Sequence, residues 1–365
     1  MTEARLRESR VAGTVRVVGS GLLGASVGLG LAARGVDVVV TDASRTAARL
    51  AVEYGAGRPP APDDAPGLIV VAVPPDAIAE VVAAELEAFP EATVTDVASV
   101  KSAPLAELEA SAADLSRYVG SHPLAGRERG GPISARADLF LGRPWVVCTR
   151  PGLARGRVSL IEQLALDLGA IPVEMDAVTH DESVALVSHT PQLVSTLMAR
   201  RLGAAADAAL GLAGGGVRDV TRVASSDPAL WVQILAANAS VVAPILRAYR
   251  DDLGDVIDAL ERIDESGSRR ALAETLAGGN AGVARLPGKH GQDKRFASVV
   301  VLIDDTPGQL GRLFTELGEL GINIEDMRME HSPGAQIGIV ELAVLPEALT
   351  RTVDDLAERG WRIAG

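Results

Sequence analysis

Short β-branched runs alternate with longer apolar segments over the first half of the chain. The short runs predict strands, and they lie at residues 14–18, 36–41, 68–73, 93–97, 118–119, 144–149 and 170–174. Most of the segments between them have the alanine- and leucine-rich spacing of helices. Strands that alternate with helices form a mostly parallel sheet covered on both faces. We therefore expect a doubly wound α/β domain over residues 11–175.

The pattern changes after Asp176. Long alanine- and leucine-rich segments with little β-branched alternation predict an all-helical domain over residues 176–280. Residues 281–294 are rich in glycine and charge, which predicts a linker. Over residues 295–365 the order of elements is strand, helix, strand, strand, helix, strand, which predicts a small ferredoxin-like (βαββαβ) domain.

The first predicted strand runs directly into a glycine-rich turn and a helix. Gly19, Gly21 and Gly24 form a GxGxxG pattern, and Asp42 ends the next strand 18 positions after Gly24. In a dinucleotide-binding unit these glycines permit a tight turn, close approach of a pyrophosphate, and close packing of helix on strand. We expect NAD to contact this turn and the strand ends beside it, at Gly19, Gly21, Leu22, Leu23, Gly24, Asp42, Val73, Pro74 and Ser99.

Asp42 favours NAD over NADP, because a carboxylate accepts hydrogen bonds from both ribose hydroxyls and repels a 2′-phosphate. Arg45 lies three residues further on and is able to turn toward a phosphate. The use of NADP therefore stays open, and the alternative role of Arg45 is a solvated helix charge.

The net charge of −13 argues against a nucleic-acid partner, which requires clustered Lys and Arg. An anionic substrate would need a local cationic side chain. The single cysteine, Cys148, excludes an internal disulfide and is expected to be a buried spectator. Residues 1–10 lack the apolar core of a signal peptide, and no later run has the ~18 apolar residues of a membrane span. We expect a cytoplasmic protein with no membrane partner.

The most informative polar residue is His122, in the segment GSHPLAG at residues 120–126. Pro123 disfavours helical geometry at His122, which predicts an imidazole held on a turn and able to exchange protons near neutral pH. The alternative is an ordinary buried histidine bonded to a backbone carbonyl. Ser99 and Lys101 follow a neighbouring strand; their alternatives are a helix N-cap and a surface charge.

The helical region carries two further histidines and a proline. His180 and His189 are nine residues apart, about 180° around a regular helix, so one straight helix cannot direct both at a metal. Pro191 removes a helical hydrogen bond and predicts a kink. Asp219 and Arg222 would be neighbours on one helical turn, and a surface ion pair is their alternative role. We expect no metal site.

In their order along the chain, these motifs resemble the prephenate and arogenate dehydrogenase family of tyrosine biosynthesis, fused to a C-terminal ACT domain. The motifs are GSGLLGAS, DVASVK, GSHPLAGRE, SHTPQ, GGVRDVTRVASSDPALW and the pair DDTPGQL and GINI. The resemblance covers roughly residues 14–365. It implies a nucleotide-binding domain, a helical dimerisation domain and a regulatory module that senses an amino acid, usually tyrosine.

The resemblance also implies an activity, the NAD-dependent oxidative decarboxylation of prephenate to 4-hydroxyphenylpyruvate. It implies His122 as the catalytic histidine and Ser99 as its partner on the substrate hydroxyl. Glu128 is implied as a nearby site residue, Arg222 as the carboxylate clamp and Asp219 as its ion-pair partner. A planar guanidinium suits a carboxylate and would supply the cation that the acidic composition requires.

Gln192 departs from the family pattern. Many members have a histidine at this position, three residues after His189 and near the substrate side chain. We expect both His189 and Gln192 to lie at the substrate. Because glutamine donates and accepts hydrogen bonds but has no charge, the choice between prephenate and arogenate, which would be converted to tyrosine, stays open.

Two other interpretations are weighed against this one. A β-hydroxyacid dehydrogenase typically uses a lysine on its long helix, and residues 180–200 contain none. A catalytically silent amino-acid sensor would hold NAD only for structure, and its His122→Asn variant would behave as the wild type does. An assay with prephenate and with arogenate separates the three.

The resemblance predicts partners as well as chemistry. A homodimer or higher homo-oligomer is expected, with a small-molecule substrate and tyrosine as effector. Tyrosine would bind the ACT domain near Gly308 and Asn323, whose alternative roles are those of ordinary turn residues.

Overall fold

The computed structural model describes residues 9–111, 113–126, 130–286, 296–331 and 337–364. The chain forms two compact units: Met1–Arg200 with Thr221–Tyr249, and Arg201–Val220 with Arg250–Gly365. Each is described by itself below.

The first unit contains a seven-stranded sheet with the strand order β2-β1-β3-β4-β5-β6-β7. Its strands are β1 (Val15–Val18), β2 (Val38–Thr41), β3 (Leu68–Val71), β4 (Thr93–Asp96), β5 (Tyr118–Pro123), β6 (Pro144–Cys148) and β7 (Ile171–Met175). Neighbouring strands run parallel, except that β5 and β6 are antiparallel.

Helices connect most of the strands and then continue the chain beyond the sheet. In chain order they are α1 (Leu22–Ala32), α2 (Arg45–Glu53), α3 (Ile78–Ala88), α4 (Ser102–Ala110), α5 (Arg155–Asp167), α6 (Ala177–Val184), α7 (Thr190–Leu202), α8 (Asp207–Leu210), α9 (Gly215–Thr221), α10 (Pro228–Ala237), α11 (Ala239–Glu261), α12 (Ser268–Val283), α13 (Gln309–Glu319) and α14 (Leu349–Glu358).

Alternate residues of the central strands face two different apolar clusters. Leu68 and Val70 of β3 pack in a cluster that includes buried residues of α1 and α5. Ile69 and Val71 pack in a second cluster with α3 and α4. Since successive strand side chains point to opposite faces, both faces of the sheet are covered by helices. This explains why the strands are almost continuously apolar and confirms the doubly wound α/β arrangement.

The second unit ends in a four-stranded antiparallel sheet. Its strands are β8 (Ala297–Asp304), β9 (Asp326–His331), β10 (Ile337–Val344) and β11 (Arg362–Ala364), in the order β11-β8-β10-β9. Together with α13 and α14 they have the predicted βαββαβ order. Val301 of β8 pairs with Val340 of β10, and both are buried in one cluster with Leu313 and Leu356 from the two helices.

Two local predictions are wrong. The turn expected at residues 120–126 begins as a strand, because Ser121, His122 and Pro123 pair with β6 residues that are distant in sequence. The linker predicted from residue 281 starts later, because α12 continues to Val283 and residues 268–286 contain no proline to end the helix. Residues 287–294 of that segment lie outside the described residues.

Among the described helices, no single one is long and apolar enough to cross a membrane. The pair α10 and α11, bent by 96°, passes the test of length and composition only when the two helices are taken together.

Candidate active site

The turn after β1 has the backbone that its glycines predict. Gly19 has φ +97°, a left-handed conformation, and a Cβ there would lie 2.3 Å from the carbonyl oxygen of Ala72. A Cβ on Gly24 would lie 1.9 Å from the carbonyl oxygen of Gly19. A Cβ on Gly21 would meet nothing within 4 Å. Two glycines are therefore required by protein packing, whereas the third leaves open space in front of α1 for a phosphate group.

Asp42 binds the same turn. Its Oδ2 accepts hydrogen bonds from the backbone N–H of Ser20 at 2.6 Å and from the Ser20 hydroxyl at 2.8 Å, and its Oδ1 accepts from the backbone N–H of Ser44 at 2.7 Å. The carboxylate is half-buried, and Arg45 is exposed at the start of α2. These positions fit a dinucleotide with its phosphates at the turn and its ribose at Asp42.

The other cofactor candidates follow strands at the same edge of the sheet. Val73 and Pro74 follow β3, Ser99 follows β4, and His122 lies at the end of β5. Because β1, β3, β4 and β5 are parallel neighbours, their carboxyl ends share one edge. Three strand spacings of about 4.8 Å separate the glycine turn from His122 by roughly 14 Å, within reach of an extended dinucleotide.

His122 is 8% exposed and contacts a second histidine. Its Nδ1 lies 2.9 Å from Nε2 of His180 on α6, and the rings meet edge to face. Burial lowers the pKa of His122 well below its ordinary value, and the charges of His180, Lys101 and His189 lower it further. His122 is therefore a neutral imidazole at neutral pH.

Asp181 anchors this pair from the far side. Its Oδ1 lies 2.7 Å from Nδ1 of His180 and accepts a hydrogen bond from the backbone N–H of Lys101 at 2.9 Å. Its Oδ2 accepts from the backbone N–H of Ser102 at 2.8 Å, at the start of α4. Burial alone would raise the pKa of Asp181, but the hydrogen bonds from His180 and Ser102 outweigh it and hold the pKa below its ordinary value. The carboxylate is ionised.

A buried ion pair lies under the ends of β4 and β5. Lys101, only 2% exposed, forms a salt bridge with Asp96. Asp96 also accepts hydrogen bonds from the Tyr118 hydroxyl at 2.7 Å and from the backbone N–H of Ala98 at 2.8 Å. Burial raises the pKa of Tyr118 well above its ordinary value, and Asp96 adds to the effect. Lys101 is thus not the surface charge considered as its alternative, and it fixes the segment that carries Ser99.

The break predicted at Pro191 is a π-helix at Ala185–His189, directly before α7. A π-turn contains more residues than an α-turn, so His189 is shifted from its place on a regular helix. Asn238 contacts α6 and the last residue of the π-helix: its Nδ2 donates to the carbonyl of Asp181 at 2.9 Å and lies 3.2 Å from Nδ1 of His189. Burial lowers the pKa of His189 to about 4.

The remaining substrate candidates are placed less fully. Gln192 is buried in α7, and its Oε1 lies 3.5 Å from the hydroxyl of Ser226. Arg222 is exposed, four residues before that serine. The expected ion pair between Arg222 and Asp219 joins residues of the two units and stays a prediction. Glu128 lies outside the described residues.

Two other expectations concern metal and thiol chemistry. In the part of the chain that the structure describes, no three or more His, Cys, Asp or Glu side chains are grouped to hold a metal ion. Cys148 is buried in β6, and burial raises the pKa of its thiol to about 12. It is therefore protonated and unreactive at neutral pH.

Sequence reasoning missed His180 and Asp181 as partners of His122. The available signal was a histidine and an aspartate together in the first turns of the helix that leaves the sheet. It was insufficient because nothing local shows that α6 packs beside β5, 58 residues earlier in the chain.

Comparison with known proteins agrees with this geometry. The family profile "Prephenate dehydrogenase, nucleotide-binding domain" matches residues 27–173, and "Prephenate dehydrogenase, dimerization domain" matches residues 176–277. The probable prephenate dehydrogenase NovF of Streptomyces niveus is 35% identical over 356 residues, covering 95% of this chain and 98% of NovF.

Two solved structures have the same fold. Prephenate dehydrogenase from A. aeolicus, in complex with hydroxyphenyl propionate and NAD+, aligns with a TM-score of 0.65 at 24% identity, covering 75% of this chain and 99% of that one. Synechocystis arogenate dehydrogenase aligns with a TM-score of 0.59 at 26% identity, covering 73% of this chain and 99% of that one. By its two matched domains and its near full-length relative, this chain belongs to the prephenate dehydrogenase family.

Proposed function

We propose that the protein is an NAD-dependent prephenate dehydrogenase, which converts prephenate to 4-hydroxyphenylpyruvate and carbon dioxide. The observation that carries the proposal is a neutral, buried imidazole, His122, at the same sheet edge as the glycine turn. A group of this kind suits a hydroxyl that becomes a carbonyl beside a nicotinamide. Membership of the family, and the ligands named for the A. aeolicus structure, support the assignment.

Bound NAD+ supplies the hydride acceptor for this chemistry. The hydride leaves the ring carbon that bears the hydroxyl, and the ring carboxylate leaves as carbon dioxide. The bonding electrons of the carboxylate restore the aromatic ring, so the product keeps the hydroxyl proton and the reaction releases none. The protein must therefore orient the ring and support charge at one oxygen, without a nucleophile of its own.

His122 and Ser99 perform that task at the substrate oxygen. In the proposed complex, the substrate hydroxyl donates a hydrogen bond to the His122 ring while carbonyl character develops, and Ser99 shares the same oxygen. Arg222 binds a substrate carboxylate through its planar fork, with Asp219 as its proposed partner. Glu128, His189 and Gln192 complete the proposed substrate site.

Arogenate is the second candidate substrate, and the observation that favours it is Gln192. A buried glutamine has an amide oxygen able to accept a hydrogen bond from an amino group and no positive charge to repel it. The Synechocystis relative is an arogenate dehydrogenase. The two substrates differ only in that side chain, so the rest of the proposed site serves both.

The activity is tested by following NADH absorbance with prephenate and, separately, with arogenate. We expect NADH formation with prephenate, and a loss of about 10²–10⁴-fold in kcat for His122→Asn, which removes the ring nitrogen that faces the hydroxyl. Arg150→Lys, a change in a guanidinium that lies over the Tyr118 ring, is the control variant and should keep kcat. No NADH with either substrate would contradict the proposal.

We also propose that the C-terminal βαββαβ module is an ACT domain that binds tyrosine and that the protein is a homodimer or a larger homo-oligomer. Gly308 has φ +93° at the start of α13, and Asn323 is exposed, with its Nδ2 donating to Glu325 at 2.6 Å. Both lie in loops beside the sheet, where an amino acid would find backbone groups to bind. The dimerization-domain profile supports the self-association.

A further inference from the structure

The two buried imidazoles, His122 and His180, form a hydrogen-bonded series that ends on the Asp181 carboxylate. The hydrogen bonds run from His122, which is 8% exposed, to the fully buried His180 and then to Asp181, through contacts of 2.9 Å and 2.7 Å. His180 is fully buried, so water does not compete for either of its ring nitrogens. The three side chains are contributed by β5 and α6 within one unit.

The inner end of the series has a fixed polarity. The ionised Asp181 carboxylate accepts from two backbone N–H groups of the α4 start, and a carboxylate in this state accepts hydrogen bonds only. Nδ1 of His180 must therefore carry the hydrogen in the contact with Asp181. In the proposed arrangement this is the only hydrogen on the His180 ring, so Nε2 of His180 is the acceptor in its contact with His122.

The same reasoning determines which ring nitrogen of His122 carries hydrogen. Since Nε2 of His180 accepts, Nδ1 of His122 must donate, and its one hydrogen is then accounted for. Nε2 of His122 is left with a lone pair, and no described residue provides it with a hydrogen-bond partner. This nitrogen is the one that a substrate hydroxyl needs as an acceptor.

We propose that His180 and Asp181 are positioning residues, which hold His122 in the tautomer with hydrogen on Nδ1 and a free lone pair on Nε2. The proposal rests on the proposed function for the identity of the group that meets His122. Its second part concerns charge: as the substrate hydroxyl shares its proton with Nε2, the positive charge on His122 is stabilised through His180 by the Asp181 carboxylate.

Removing the His180 ring should change the tautomer of His122. Without an acceptor at His180, the buried Nδ1–H of His122 has no hydrogen-bond partner, which is unfavourable. The imidazole then gains by moving its hydrogen to Nε2, where water or substrate can accept it. In that tautomer His122 presents a donor to the substrate hydroxyl instead of an acceptor.

The tautomer is measured directly by nitrogen-15 NMR of the full chain labelled at histidine. The chain has five histidines, and the signals of His122 are assigned by their loss in His122→Gln. We expect a protonated Nδ1 and an unprotonated Nε2 at neutral pH, and a shift toward the opposite tautomer in His180→Leu. His122 protonated at Nε2 in the wild type, or unchanged in His180→Leu, would overturn the proposal.

Kinetics provide the second readout. His180→Leu should lower kcat about 10²-fold with little change in the KM for prephenate, because the substrate carboxylates bind elsewhere. His180→Gln should recover part of the loss, since its amide oxygen can accept from Nδ1 of His122. If His180→Leu and His180→Gln lowered kcat and raised KM to the same extent, the role of His180 would be merely structural, which would contradict the proposal.

Neighbouring carboxylates of α6 offer a matched pair. Asp181→Asn and Glu182→Gln each remove one negative charge, but only Asp181 contacts His180, whereas Glu182 is exposed. We expect a lower kcat in Asp181→Asn alone. An equal decrease in kcat in Asp181→Asn and Glu182→Gln would contradict the proposal. NAD affinity, measured by calorimetry, confirms that each variant is folded. The NMR result needs no substrate, so it stands or fails separately from the proposed activity.

Discussion

Among single residues, the glycines of the first turn differ in what they are needed for. Gly24 is packed against Gly19 by the protein itself, whereas Gly21 borders open space. The GxGxxG pattern predicts a tight turn, a phosphate contact and helix packing for the three glycines. The backbone conformation of Gly19, the crowding at Gly24 and the open space at Gly21 agree with that division of roles.

Alanine substitutions should separate these roles. Gly24→Ala places a methyl group 1.9 Å from the carbonyl oxygen of Gly19, so α1 must shift. We expect a stability loss of about 1–3 kcal/mol, measured by urea unfolding. Gly21→Ala has room in the free protein and should keep the stability of the wild type while weakening NAD binding at least about 10-fold. If Gly21→Ala bound NAD normally, the phosphates would not lie at this turn.

His122 shows what a single residue type can and cannot predict. Its neighbours in sequence predict it as the catalytic histidine, but their interpretation as a turn is wrong. Pairing with β6 straightens the backbone, and the ring contacts His180 rather than the backbone carbonyl considered as its alternative partner. The candidate residue could be selected from the sequence, whereas its hydrogen-bond partner depends on a helix from another part of the chain.

At the scale of secondary structure, the π-helix between α6 and α7 brings two histidines into one buried region. A regular 3.6-residue spacing would have placed His180 and His189 on opposite sides. The proline gave a local signal that the helix is interrupted, but not what form the interruption takes. Asn238, which is distant in sequence, contacts Asp181 before the wider turn and His189 at its end, and these contacts have no signal in the local sequence.

These buried histidines make stability depend on pH. The pKa of His189 is lowered to about 4, and that of His122 is also lowered, while the unfolded chain has histidine pKa values of about 6.5. Between these values the unfolded state binds more protons, so stability rises with pH. The contribution of the two neutral histidines to the free energy of unfolding is fully present above about pH 6.5 and is lost progressively as the pH falls toward 4.

The effect is measured as the melting temperature between about pH 8 and about pH 5. We expect the melting temperature of the wild type to fall over the acid half of this range and that of His189→Asn to fall less. The corresponding slopes of the free energy of unfolding should differ by up to about 1 kcal/mol per pH unit after allowance for solvent. A His189→Asn curve parallel to the wild type would contradict the prediction.

For the whole molecule, the order of elements along the chain was the most predictable property. Hydrophobic period alone predicted the sheet, the helical region and the βαββαβ module, because each depends on local spacing. It did not predict that α6, and α7 as far as Arg200, belong to the same compact unit as the sheet. That grouping brings His180 beside His122 and arises from contacts distant in sequence.

Regulation is tested on the intact chain. Tyrosine should give a binding heat in calorimetry, and Asn323→Ala should weaken it at least about 10-fold, because the amide is the proposed contact. Asn280→Ala, a change at an exposed position of α12 outside the module, is the matched control. An absence of heat with tyrosine would remove the effector from the proposal while leaving the catalytic assignment intact.

The carboxylate of Asp181 serves a helix and a histidine at once. A change that destabilises the first turn of α4 must therefore also disturb the orientation of the His180 ring. Sequence drift or mild warming in that region should therefore show first as an enzyme that is slow yet still folded. The catalytic rate should therefore respond to a local change at the start of α4 before the melting temperature does.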